Sequence, residues 1–162
     1  MVSRTAEYAL RIMVVLQRHA GGGYTLARDI AAESGVPAPY VSTILHRLRH
    51  AGLVAGERGL GGGYSLKVPA AKIKVYDIIT VFDDVEGHRR CVLGHQVCNV
   101  TEGCPVHDMW SDILCTYNRF LHEMTLEKLA AARRISGPSR PRSGQTPKKP
   151  RSATPRKRKL SG

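Results

Sequence analysis

The sequence has no stretch approaching the roughly eighteen or more consecutive apolar residues of a membrane-spanning helix. A membrane partner is not expected. Its beginning, Met1–Gln17, is continuously apolar only from Ile12 to Leu16, carries Glu7 and offers no small-residue cleavage site. It does not read as a signal peptide. The chain is therefore expected in the cytoplasm, where thiols stay reduced and its four cysteines favour metal binding over disulfides. No Cys-x-x-Cys pair is present, and no cysteine stands beside an evident base, so an enzyme of the thiol reductase or peroxidase class is not expected. The glycine run at Gly61–Gly63 has no Gly-Lys-Ser/Thr ending and no helix pattern after it, which excludes a phosphate loop.

Acidic residues are missing from one end of the chain altogether. From Arg133 onward there are eleven basic residues and no acid, so of the 25 basic and 13 acidic side chains the first 132 residues keep 14 and all 13. The formal charge of +12 is a property of the tail, and the rest is nearly neutral at +1. Large apolar residues are equally scarce there: after Ile135 only Leu160 remains. Residues 135–162 are predicted to be a disordered basic tail.

The remaining residues have ordinary helical and strand periodicity. Ser3 can cap a helix to about Ala20, in which Ala6, Ala9, Leu10, Met13 and Leu16 recur at steps of three and four. Thr25 is expected to cap a second helix, Leu26 to Ser34, closed by Gly35. Pro37 opens a third, to about Ala51. Its apolar face is Val41, Ile44, Leu45 and Leu48. Pro39, Thr43, His46 and His50 point the other way, flanked by Ser42 and Arg47. Two short helices joined by Ser34-Gly35-Val36 describe a helix-turn-helix, or a helical hairpin of another bundle. The next segment favours the first reading. Leu53–Arg58 and Tyr64–Val68 read as strands separated by Gly59-Leu60-Gly61-Gly62-Gly63, a β-hairpin in the position of a wing. The expected fold is mainly α with a small β-wing: a winged helix-turn-helix domain over residues 1–82. Double-stranded DNA is the expected partner. Tyr40, Ser42, Thr43, His46 and Arg47 are candidate contacts from the third helix, with Arg58, Gly61 and Gly62 from the wing.

A short helix from about Val75 to Phe82 precedes the densest cysteine cluster. Cys91-x6-Cys98-x5-Cys104 places three thiols in 14 residues, and His107 follows one helical turn later. Residues 83–107 are read as a cluster-binding loop. Disulfides, a zinc site and an iron–sulfur cluster all use such a set. Zinc sites usually contain short Cys-x2–4-Cys knuckles, and spacers of six and five are looser. A thiol redox switch without metal is the remaining alternative. His88 and His95 are read as solvated, and Cys115 as a small buried apolar residue. A long helix then begins, with Val106, Trp110, Ile113, Tyr117, Phe120 and Met124 in a heptad-like seam widened by Met109, Leu114 and Leu121. Residues 105–134, with a short helix from Leu126 capped by Thr125, are expected to join two copies into a homodimer on a palindromic operator.

Three stretches carry a resemblance: Glu7-Tyr8-Ala9-Leu10-Arg11, the run from Tyr40-Val41 through Leu48-Arg49 to Gly52-Leu53-Val54, and Arg58-Gly59-Leu60-Gly61-Gly62-Gly63-Tyr64. With the Cys91/Cys98/Cys104 triplet, they resemble the Rrf2-type family of bacterial winged-helix transcription regulators, in particular its IscR- and NsrR-like iron–sulfur members. The resemblance spans about Met1 to Ala132 and leaves out the tail. It implies a dimeric DNA-binding regulator, a repressor by expectation. In such a protein three cysteines hold an iron–sulfur cluster whose state alters DNA binding in response to redox stress, nitric oxide or iron–sulfur supply. The fourth ligand implied is His107, or Glu7 reaching from the partner subunit, so [2Fe–2S] and [4Fe–4S] both remain open.

Overall fold

The protein is described here by a computed structural model covering residues 2–59, 61–85 and 104–131. Cys91, Cys98, His88, His95 and the basic tail lie outside the described residues.

Helix α1 spans Arg4–Arg18, and Ser3 caps it as expected: its Oγ accepts from the Ala6 amide at 3.2 Å. Ala9, Ile12, Met13 and Leu16 are buried along one face. Helices α2 (Ala27–Ser34) and α3 (Ala38–His50) pack across it. The turn between them is short because Gly35 takes a left-handed conformation, φ +66°, and donates to Ala31 O at 3.1 Å. Ser34, 3% exposed, accepts the Val36 amide on its Oγ at 3.3 Å and so satisfies a buried amide in the turn. Val41, Ile44, Leu45 and Leu48 of α3 are buried against α1 and α2, the face assigned from periodicity. Helix α3 ends with the amides of Gly52 and Leu53 closing on Arg49 O and Leu48 O at 3.0 and 3.1 Å.

The wing follows. Strands β1 (Val54–Glu57) and β2 (Gly63–Leu66) pair antiparallel, with Val54 opposite Leu66 and Glu57 opposite Gly63. One expectation fails here. Thr25 does not cap α2, whose N-cap position is Leu26 with no side-chain hydrogen bond. The Thr25 backbone instead exchanges two hydrogen bonds with Tyr64, at 2.8 and 2.9 Å, and this bridge adds a third edge to the wing. Tertiary pairing satisfies more backbone groups than one cap would, and it ties the wing to the start of α2. Gly63 makes the approach possible: a Cβ there would lie 2.4 Å from Thr25 O.

A 3-10 turn at Ala70–Lys72 leads to α4, Val75–Ile79, whose Val75, Ile78 and Ile79 are buried. Asp77 accepts from the Lys74 amide at 2.8 Å. Helix α5 spans His107–Glu123 and α6 spans Leu126–Ala131, the latter capped by Thr125, whose Oγ1 accepts from Lys128 N at 3.3 Å. Leu126 joins the main core with Ile12 and Ile73. Between α5 and α6 the backbone pairs with the residues ahead of α4: Val75 N donates to Met124 O and Leu126 N to Ile73 O, at 2.9 and 2.8 Å. A smaller apolar cluster of Ala6, Val75, Ile79, Val85 and Leu121 seats the C-terminal end of α5.

Candidate functional site

The outer face of α3 presents Tyr40, Ser42, Thr43 and His46, all exposed. Tyr40 is 57% exposed. Its ring stands 6.0 Å from that of Tyr8 on α1, tilted at 56°. The Tyr8 hydroxyl accepts from Arg4 Nε at 3.2 Å, and the Arg4 guanidinium lies 5.9 Å from the same ring. That hydrogen bond raises the Arg4 pKa above its ordinary value. Arg4 and Tyr8 thus extend the α3 face onto α1. The Arg-x3-Tyr spacing was visible in the sequence, but only the crossing of α1 and α3 reveals that it abuts Tyr40.

Arg47 stands differently from its neighbours. It donates through Nη2 to the carbonyl of Val81, and its guanidinium carbon sits 4.5 Å over the Phe82 ring. The segment after α4 thus engages the side chain of this candidate DNA contact. In the wing, Arg58 and Gly61 are exposed, whereas Gly62 is buried. A Cβ on Gly62 would come within 2.5 Å of Glu57 O, so this glycine serves the hairpin's closure. Arg49 lays its stem against Gly56 of β1, where Tyr64 also packs.

The described part of the cysteine region is the Cys104–His107 turn. Cys104 is a free, half-buried thiol, and the His107 amide donates to its carbonyl at 3.2 Å. Thiol and imidazole therefore belong to one turn at the start of α5. This donor pair fits an iron–sulfur cluster or zinc, both of which accept thiolate and imidazole. Cys91 and Cys98, the other two candidate ligands, lie outside the described residues. Glu7 sits on the exposed side of α1 with its carboxylate on the Arg11 guanidinium. Among the described residues no three His, Cys, Asp or Glu side chains converge, so one chain does not bring Glu7 to Cys104 and His107.

Helix α5 buries only Leu121. Val106, Met109, Ile113 and Phe120 are 37%, 72%, 52% and 46% exposed within the single chain. The expected apolar seam is there, with this much of it uncovered. Cys115, read from the sequence as buried, is exposed. It lines an open groove with His107, Trp110, Ser111, Leu114, Asn118, Arg119 and His122. A helix with one buried residue has no core to hide a cysteine in. His122 stacks on Tyr76 with ring centres 4.1 Å apart.

The protein-family comparison matches residues 2–132 to Rrf2, described as an iron-dependent transcriptional regulator. The chain belongs to the Rrf2 family. Among Rrf2 relatives, the HTH-type transcriptional regulators IscR of Yersinia enterocolitica (serotype O:8, biotype 1B) and Serratia proteamaculans (strain 568) are each 34% identical over 123 residues. The match covers 76% of this chain and 74% of theirs. Among solved structures, CymR of B. subtilis, described as the global cysteine regulator, superposes with a TM-score of 0.66 at 30% identity, over 81% of this chain and 96% of CymR. T. potens IscR gives 0.64 at 28% identity, over 85% and 93%. These matches identify the mainly helical chain with its two-stranded wing as a winged-helix regulator of the Rrf2 type, a DNA-binding transcription factor and not an enzyme. Among the described residues no helix is long and apolar enough to cross a membrane.

Proposed function

We propose that this Rrf2 protein is a homodimeric cytoplasmic repressor whose hold on a two-fold operator is set by an iron–sulfur cluster. Cys91, Cys98 and Cys104 bind the cluster, and His107 is the fourth ligand. The observation that carries this reading is the Cys104–His107 turn, continuous with a helix whose far end is seated through Leu121 in the smaller cluster with Ala6 of α1 and Val75 and Ile79 of α4. Glu7 ranks below His107 because Arg11 already engages its carboxylate. When bound, the cluster supplies a centre that oxidants, nitric oxide or iron shortage can alter or remove.

The chain's own residues carry that change to DNA. Cys104 and His107 fix the start of α5. Leu121 at its other end packs with Val75, Ile79 and Val85, around α4. The segment after α4 holds Arg47 through Val81 and Phe82. A shift of α5 therefore bears on the tilt of α3, whose Tyr40, Ser42, Thr43 and His46 meet the major groove, with Arg58 and Gly61 on the flanking backbone. The uncovered face of α5 packs on its counterpart in the second copy, and two α3 helices then address half-sites about 34–36 Å apart.

Anaerobically purified protein should absorb near roughly 400 nm, as thiolate-bound iron–sulfur centres do, and contain acid-labile sulfide. Cys91→Ala, Cys98→Ala and Cys104→Ala should each abolish both, and Cys115→Ala should retain them. His107→Ala should leave a cluster that forms and decays faster. Stoichiometric zinc without sulfide would replace this reading with that of a zinc-stabilised regulator, and metal-free protein that loses operator binding on thiol oxidation with that of a redox switch.

A further inference from the structure

His46 and His50 lie one turn apart on α3, both exposed, with ring centres 4.6 Å apart and planes at 59°. Among the described residues neither imidazole has a hydrogen-bond partner, and an open cleft lined by His46, Arg49 and His50 lies beside them. The spacing has a direct chemical meaning. An ion bound to one nitrogen of each ring at about 2.0–2.1 Å, with an angle at the ion of about 90–110°, holds the ring centres about 4.5–5.2 Å apart. The separation of the two rings falls within that range. Imidazole nitrogen is also the ligand that zinc, nickel and copper ions prefer over oxygen-seeking calcium or magnesium.

We propose that His46 and His50, both on α3, form a two-histidine chelate for a divalent first-row transition ion. The local field supports it. His50 is the last residue of α3, where the helix dipole gives the end partial negative charge and attracts a cation. Arg49 is the opposing charge, but its stem is drawn over Gly56 and its head is exposed, where water screens it. Arg47 is committed to Val81 on the other flank. Two protein ligands leave coordination positions open, so the site is moderate in affinity and exchanges with solution. It also lies on the stripe that runs from Thr43 through His46 to His50, where an ion would meet DNA phosphates. That consequence, unlike the chelate, rests on the interface proposed above.

The test is a Ni²⁺ titration of the full chain, handled anaerobically with its native cofactor content, following the histidine ring resonances. His46 and His50 should broaden together and ahead of the other histidines. Because the second ligand acts at high effective concentration, His46→Ala or His50→Ala should raise the Ni²⁺ needed at the remaining ring by about a hundredfold. Moving the second ring one place, as His50→Ala with Ala51→His, should not restore it. Both native positions are exposed, so these variants fold, and circular dichroism checks this. The proposal is overturned if the two rings broaden at different Ni²⁺ concentrations, or if the single variants bind as tightly as the native chain. Operator DNA added to the Ni²⁺-loaded protein should shield the pair from a competing chelator. Unchanged stripping would overturn the placement of this stripe on DNA while the chelate stands.

Discussion

Gly63→Ala tests how the wing is held. The residue has φ +154°, and a Cβ there would sit 2.4 Å from Thr25 O and 2.7 Å from Thr25 C. Both are backbone atoms, so no rotamer change relieves the contact. Either β2 or the start of α2 must move, and the two Thr25–Tyr64 hydrogen bonds at 2.8 and 2.9 Å lengthen or break. Backbone strain of this kind costs about 1–3 kcal/mol, and each hydrogen bond contributes about 0.5–1.5 kcal/mol net. Part of the strain is released when the bonds break, leaving a loss of about 2–4 kcal/mol. At about 2–4 °C per kcal/mol for a chain of this size, Tm should fall by about 5–15 °C. Gly61→Ala is the control. Gly61 also has a positive φ, +83°, but no atom lies within 4 Å of its would-be Cβ. It should cost only the left-handed conformation, about 1–2 kcal/mol. Thermal and urea unfolding of both variants, with matched cluster content, give the comparison. If Gly63→Ala proves no more damaging than Gly61→Ala, the wing is not anchored through Thr25. A second readout is operator affinity where both variants are folded: Gly63→Ala should lose it because the wing has shifted.

Arg47→Ala should cost about 1–2 kcal/mol of stability from the lost cation–π contact and charged hydrogen bond, and should shrink the difference in operator affinity between cluster-loaded and cluster-free protein. Unchanged stability with a loss of base preference alone would show that Arg47 reads DNA directly. Truncation after Ser136 removes nine basic residues, and if a third of them meet phosphates the slope of log affinity against log salt should fall by about 3 per subunit; equal slopes would refute a role for the tail. Burial, with the Asp83 charge beside it, holds the Tyr117 phenol above the ordinary tyrosine range. The fold thus favours the neutral form, a contribution intact below the unfolded value of about 10 and lost as pH rises through the folded one. Tyr117→Phe should flatten the alkaline fall in stability, and identical slopes would contradict this. Met109→Asp or Ile113→Asp should shift the protein from dimer to monomer in sedimentation, with the winged-helix core still folded; an unchanged dimer would place the interface elsewhere.

The sequence was most informative where one local rule met no competitor. The apolar face of α3 follows from a 3.6-residue period, the turn before it from Gly35, and the wing from alternating strands around glycines. It misled where a distant segment offered something better. Thr25 could have capped α2, but Tyr64 arrives from the wing and takes its backbone. Arg47 lies beside the outward stripe on a helical wheel, yet no wheel shows Val81 and Phe82, 34 and 35 residues later, engaging its side chain. Cys115 illustrates the limit of amphipathic patterns: periodicity marks an apolar face and is silent on whether the chain itself covers it. Of the candidate cluster ligands, the one-turn spacing of Cys104 and His107 was readable because a helix starts there. Glu7's engagement by Arg11 was equally readable, as an i,i+4 pair, and lowers its rank.

The backbone pairing of residues 73–75 with residues 124–126, together with the packing of Val85 on Leu121, has an architectural consequence. The chain between those anchors leaves and rejoins the body at one seam, through Val75 and Met124. Its two ends are fixed a short distance apart, so its length and chemistry can change while the closure stays the same. Such a body is a socket. Under the function proposed above, exchanging this stretch between homologues, with both anchors kept, should change the signal while keeping the operator that is read.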